Sequence, residues 1–155
     1  MNTFYIHIGD TPLGDITVTE NCGSITGLAL GKSFPGEYRC TDLLKQCERE
    51  LREYFKGERR CFELPLHMEG TAFQHRVWQA IAGIPYGETI SYSDLAERIG
   101  SSGAARAAGS ACGANPIAII VPCHRVIGKN SLGGYAYGAY AKKTLLKIEK
   151  LGNNY

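Results

Sequence analysis

Apolar residues in the first 35 positions fall into three short runs, Phe4 to Ile8, Ile16 to Val18 and Ile25 to Leu30, separated by Gly-Asp-Thr-Pro-Leu-Gly and Glu-Asn-Cys-Gly. Runs of this length broken by Gly, Pro and Asn predict a small antiparallel sheet. From Thr41 the period changes: Leu44, Cys47, Leu51 and Phe55 recur at three and four, Glu48 precedes Arg52 by four, and Gly57 stands where a helix would stop. That spacing predicts one amphipathic helix on the sheet. Residues 58–69 read as strand and linker.

The second half keeps the helical period. Thr71 to Gln74 has a capping-box pattern, and Phe73, Val77, Trp78 and Ile81 mark one face of a helix that Gly83-Ile84-Pro85 ends. A short helix from an N-capping Ser91 to Gly100, a Gly/Ser turn, and a second helix from Ala104 to Cys112 have the outline of a helix-turn-helix. Ile117 to Val121 reads as a buried strand. A last helix begins near Ala139, with Lys143, Lys147 and Lys150 on one face and Glu149 at its inward edge. The predicted division is residues 1–69, a small α+β unit, and residues 70–155, a mostly helical one.

Composition narrows the setting. Of 155 residues, 44% are apolar and 21% charged, enough to bury a core. The start, MNTFYIHIGD, lacks the basic and apolar segments of a secretory signal, and no run approaches the ~18 apolar residues of a membrane span. A cytoplasmic address and no membrane partner are expected. The cysteines at 22, 40, 47, 61, 112 and 123 include no Cys-x-x-Cys pair and are expected to be reduced and mostly buried. A zinc site from Cys22 with His7 or His67 matches no standard spacing, so no metal and no cofactor are expected. Residues 1–69 hold 8 Lys/Arg against 11 Asp/Glu, and residues 70–155 hold 9 against 4. The second half therefore carries a modest positive field, which favours a polyanionic partner without proving one.

Two stretches bear on chemistry. The helix Ala-Ala-Arg-Ala-Ala-Gly-Ser-Ala-Cys, residues 104–112, carries one long side chain, Arg106, where a major-groove reader would need several. By composition it reads as a buried Ala-rich helix, or as a surface built for close backbone approach. In Ile-Ile-Val-Pro-Cys-His-Arg-Val-Ile, residues 119–127, an apolar run ends in a thiol, an imidazole and a guanidinium. Neighbours on a strand point apart, so Cys123 and His124 can cooperate only from a turn or through water. Composition and spacing alone favour a structural cysteine over a nucleophile. Against that stand the loop at 128–138, with four glycines around two tyrosines and suited to a flat ligand, and Glu149, an inward carboxylate for which His124 is a candidate partner. Arg125 or Lys142 could equally pair with Glu149.

Together these residues resemble a known family. The blocks Gly-Thr-Ala-Phe-Gln-His-Arg-Val-Trp at 70–78, Ile-Pro-Tyr-Gly-Glu-Thr-Ile-Ser-Tyr at 84–92, Arg-Ala-Ala-Gly at 106–109, Asn115-Pro116, and Val-Pro-Cys-His-Arg-Val-Ile through Gly-Gly-Tyr resemble the O6-alkylguanine-DNA alkyltransferases, in family order over residues 70–150. Thr-Pro-Leu-Gly at 11–14 extends the likeness, more loosely, to the N-terminal part. The resemblance implies an α+β fold with a ribonuclease H-like N-terminal domain and a winged-helix-like C-terminal domain. It also implies a single-use repair protein: Cys123 takes the alkyl group from O6 of guanine in double-stranded DNA and is not regenerated.

Roles follow by position. His124 acts through water as base, Glu149 orients it, and Asn115 holds the turn. Tyr135, Ala136, Val126 and Gly133 belong to the base pocket, with donation toward O6 and carbonyls accepting from the exocyclic amine. Arg106 fills the space left by the flipped nucleotide, Tyr92 crowds its phosphate, and Ala105, Ser93 and Arg125 complete the DNA contact. Ala108, Ser131 and Tyr137 depart from the common family residues, which bears on pocket width and alkyl size. The protein is expected to be a monomer, with cooperative loading on DNA and repair of O4-alkylthymine left open. A lesion-binding module with an incidental cysteine and a turning-over thiol hydrolase are the competing readings.

Overall fold

The structure, a computed structural model, describes residues 2–31 and 36–152. Strands β1 (Phe4–Thr11), β2 (Gly14–Asn21) and β3 (Ser24–Leu30) form the expected meander, and β4 (Glu37–Tyr38) completes a sheet of order β3-β2-β1-β4. β4 runs parallel to β1, so the sheet is not purely antiparallel. Two residues are too few to show a period, and a parallel partner comes from a crossover rather than a hairpin. Ile6 pairs with Val18 and Ile8 with Ile16, and all four are buried on one face. Helix α1 (Asp42–Phe55) packs on the three long strands, capped by Thr41 Oγ1, which accepts from the Leu44 N–H at 3.1 Å.

The buried face of α1 is Leu44, Cys47, Leu51 and Tyr54, whereas Phe55, expected in the core, is half-buried. Glu50 joins that face. Its carboxylate accepts from Gln46 Nε2 and from the Glu63 N–H, both at 2.8 Å, and pairs with Arg59 at 3.3 Å. A buried charge demands such partners, and here they pin residues 59–63 against the helix. That segment is irregular, and the strand expected within 58–69 reduces to a bridge between Ile25 and Leu66.

The chain divides into two compact units, residues 1–68 with 116–118, and residues 69–115 with 119–155. In the first unit the Leu28 N–H donates to Pro116 O at 2.9 Å and the Ala118 N–H to Leu28 O at 3.2 Å. This replaces the strand expected over 117–121: only Ile117 bridges the sheet, and the backbone turns at Ile119 with φ +71°. A β-branched residue there stores about 1–3 kcal/mol, sustained by nearly complete burial of Ile119.

The second unit is helical. Helix α2 (Ala72–Ala82) has both bonds of the Thr71/Gln74 capping box and buries Val77, Trp78 and Ile81, while Phe73 is half-buried. Helices α3 (Tyr92–Arg98) and α4 (Ala105–Gly113) pack on each other and on α2, and Trp78 Nε1 donates to Ala111 O at 2.9 Å. The Ala-rich α4 is not a buried helix: Ala108, Ala111 and Cys112 face inward, but Arg106, Ala107 and Ser110 are exposed. Short strands β5 (Ile90–Ser91) and β6 (Val126–Ile127) pair in parallel, and α5 (Ala139–Gly152) closes the chain. None of the six cysteines is in a disulfide, and Cys22, Cys40 and Cys61 are exposed rather than buried.

Candidate active site

Cys123 opens a 3₁₀ turn, Cys123–Arg125, immediately before β6. The turn is held by the Cys123 N–H on Val121 O at 2.8 Å and the Arg125 N–H on Pro122 O at 3.0 Å. With about three residues per turn, neighbouring side chains diverge widely, so Cys123 and His124 point to different surroundings though both are buried. Asn115 fixes the sulfur: Nδ2 donates to Sγ at 3.2 Å and to Val121 O at 2.8 Å. Burial pushes the Cys123 thiol up, and the Asn115 bond and the nearby Lys142 cation pull it partly back.

Behind the thiol lies a buried ionic network. His124 Nε2 is 2.6 Å from Glu149 Oε2, and the same carboxylate takes Arg125 Nε at 2.8 Å and Nη2 at 3.1 Å, and the Gly87 N–H at 3.2 Å. Burial would raise the Glu149 pKa, but the bonds from His124 and Arg125 prevail and hold it at about 2. Burial lowers the His124 pKa, with the Glu149 bond opposing it. A carboxylate anion facing a neutral imidazole assigns the proton to Nε2. Nδ1, buried and with no hydrogen-bond partner among the described residues, then carries a free lone pair.

In front of the thiol is a cavity of about 200 Å³ lined by Cys123, Tyr92, Cys112 and its two flanking glycines on α4, and by Gly134, Tyr135 and Ala136. The Tyr135 hydroxyl is buried without a partner among the described residues, and its ring meets Tyr137 edge-on at 5.8 Å. Tyr92 O–H donates to Gly134 O at 3.3 Å, and a Cβ at Gly133 would stand 2.9 Å from the Tyr92 ring, so the loop approaches Tyr92 only because residue 133 is glycine. Gly133 and Val126 therefore support the cavity without lining it. The Val126 carbonyl, expected to meet the base, accepts from Lys142 Nζ at 2.6 Å, although an oxygen with two lone pairs can take a second donor.

On the outer face Arg106 and Ser93 are exposed, Ala105 and Tyr92 half-buried. Arg125 is the one expected DNA contact that the structure places elsewhere. It is buried, gripped by Glu149, and donates from Nη1 to Ile84 O at 2.6 Å, because its position in the turn directs it inward. The sequence left His124, Arg125 or Lys142 as partner for Glu149; the first two bind it, and Lys142 bonds backbone carbonyls instead.

The chain matches the family models "6-O-methylguanine DNA methyltransferase, ribonuclease-like domain" over residues 3–68 and "6-O-methylguanine DNA methyltransferase, DNA binding domain" over residues 72–151. The chain belongs to the 6-O-methylguanine DNA methyltransferase family. It is 44% identical over 158 residues to the constitutive methylated-DNA–protein-cysteine methyltransferase of Bacillus subtilis (strain 168), covering 95% of this chain and 96% of that one. A relative from Methanosarcina acetivorans is 42% identical, covering 94% and 97%. The crystal structure of Mycobacterium tuberculosis OGT in complex with DNA superposes with TM-score 0.87 at 42% identity, over 96% of this chain and 94% of that one.

One residue of this methyltransferase-family site has a place that the sequence reading missed, having offered it only as a partner for Glu149. Lys142 is buried, with no carboxylate partner among the described residues, its Nζ bonded to Val126 O and, at 3.0 Å, to Gly134 O, and lying 5.8 Å from the Tyr92 ring. It ties the strand after Cys123 to the glycine loop. Its place four residues before Leu146 in a lysine-rich helix gave no sign of burial. Among the described residues no three His, Cys, Asp or Glu side chains converge as a metal would need.

Proposed function

We propose that this protein repairs DNA by direct reversal, moving a methyl or larger alkyl group from O6 of guanine in duplex DNA to the sulfur of Cys123, once per molecule. The observation that carries the reading is the placement of one thiol: Cys123 Sγ, held by Asn115, faces a cavity beside the small-residue helix α4, with the His124–Glu149 pair behind it. The relatives' names support methylated DNA as the substrate, and the DNA-bound structure of a relative supports DNA as the partner.

In this reading Arg106 enters the duplex from the exposed side of α4, and Tyr92 crowds the phosphate so that the target nucleotide turns out. The base enters between α4 and the Gly134–Ala136 loop. Sulfur attacks the alkyl carbon in line with the C–O6 bond; an S–C bond forms, and the C–O6 electron pair goes to guanine. The thiol proton passes through water to Nδ1 of His124, and Glu149 steadies the imidazolium. The Tyr135 hydroxyl and the Ala136 N–H meet the charge developing on guanine. A thiol whose pKa is raised by burial gives little thiolate near neutrality, so transfer needs that base. The product thioether has no route back.

No helix among the described residues is long and apolar enough to cross a membrane, and a cytoplasmic monomer acting on DNA fits the reading. The test is incubation with a duplex carrying O6-methylguanine, followed by intact mass and peptide mapping. One added methylene on Cys123, in an amount capped by the protein present, is expected. Lesion binding with unmodified protein would leave a recognition module, and repeated turnover a hydrolase.

A further inference from the structure

The cavity in front of Cys123 has two walls of different make. One is the loop Gly134, Tyr135 and Ala136, with Tyr135 braced by Tyr137. The other is the inward face of α4, where Gly109, Cys112 and Gly113 fall at i, i+3 and i+4. A Cβ at Gly113 would meet nothing within 4 Å, and one at Gly109 would only touch the Tyr92 ring at 3.6 Å. The sole side chain that α4 sends into the cavity is therefore the thiol of Cys112. That thiol makes no hydrogen bond among the described residues, and burial, helped by Cys123, pushes it up to about 12. It is a neutral wall group near pH 7, not a rival nucleophile.

We infer that Cys112 sets how large an alkyl group can accompany the base to Cys123, which makes it a specificity-determining residue of the transfer. The inference rests on the alkyl-transfer reading above. In-line attack fixes the reacting carbon between O6 and Sγ, so any atoms beyond that carbon must lie to the side. The loop wall yields only if two tyrosines packed edge-on move. The α4 wall is bare backbone at 109 and 113, and its reach is the size of residue 112. A methyl group needs no lateral room; a benzyl group does.

The experiment compares transfer from duplexes carrying O6-methylguanine or O6-benzylguanine to wild type, Cys112→Ala and Cys112→Met, with the benzyl-to-methyl rate ratio read from intact mass against time. A change of one or two heavy atoms in an apolar pocket shifts discrimination by about tenfold or more. Ala is expected to move the ratio about tenfold toward benzyl, and Met about tenfold toward methyl. Cys112→Ser, close to the native size, is expected to keep the wild-type ratio. A shift in Ser as large as in Ala, or ratios unmoved in both Ala and Met, would overturn the inference. The ratio is internal to each protein, so one folded variant suffices, and Cys112→Val stands in if Met does not fold. Failure of the wild type to accept either group would sink the transfer reading instead.

Discussion

Arg125 holds both oxygens of Glu149, at 2.8 Å from Nε and 3.1 Å from Nη2, inside the helical unit. A guanidinium so engaged cannot also neutralise a phosphate, and removing it strands a buried carboxylate. Arg125→Ala is expected to cost about 3–5 kcal/mol of stability in urea unfolding. Arg125→Lys recovers only part, because an ammonium cannot present the planar fork. Unchanged stability with weakened DNA binding would return Arg125 to the DNA face.

The same network makes stability fall with acid in two windows. The His124 pKa is lowered on folding, mainly by burial, so the unfolded chain takes a proton first and stability drops as pH falls below the ordinary value of 6.5. Glu149 is held at about 2 against an ordinary 4.5, so a second loss follows between those values. Urea midpoints measured across this range are expected to decline in both windows, and Glu149→Gln to flatten the lower one. A midpoint indifferent to pH throughout would show that neither shift is real.

Cys123 is shielded and its thiol pKa raised, whereas Cys22, Cys40 and Cys61 are exposed. Iodoacetamide near neutral pH is expected to modify those three first, as peptide mapping would show. Asn115→Ala removes a side-chain donor to Sγ and one of the two donors to Val121 O, which keeps the Cys123 N–H. It should cost about 1–3 kcal/mol of stability and slow alkyl transfer far more than DNA binding. Cys123 reacting ahead of the exposed thiols would mean an activated resting thiolate instead.

Lys142 places its charge between Val126 O and Gly134 O. Lys142→Met keeps much of the volume but releases the loop, and is expected to lower the transfer rate while leaving duplex affinity within about threefold, since the ammonium is buried away from phosphate. An equal fall in affinity and rate would assign the lysine to DNA.

Arg106, exposed on α4, acts in the proposed mechanism only when a nucleotide must leave a duplex. Arg106→Ala is expected to slow repair of duplex lesions by about tenfold or more, in keeping with a few kcal/mol of unstacking, while reaction with free O6-benzylguanine changes little. Equal losses on both substrates would refute the finger role.

Local order was legible wherever one element carries its own signal. The periods of α1 and α2, the Thr71 capping box, the Ser91 cap and the turn demanded by Cys123 beside His124 all follow from short-range sterics and hydrogen bonding. Phe55 and Tyr54 could not be told apart by spacing, since the two flank one helical position and only packing chose between them. The strand expected over 117–121 failed for a similar reason. An apolar run says that residues are buried, not that they share one sheet, and the chain gives 116–118 to the first unit before turning at Ile119.

Sequence by itself determined most of the elements, the charge asymmetry and the family, and through the family resemblance it singled out Cys123 as the candidate thiol, because each is carried by residue types at fixed short spacing. Tertiary structure alone decided which cations serve the interior and which the surface. Arg125, Lys142 and Arg106 look alike along the chain, yet one grips Glu149, one ties two carbonyls together and one reaches outward. It also brought Cys112 to the wall facing Cys123. Long-range packing sets desolvation and partners, and those govern what a charge or a thiol can do.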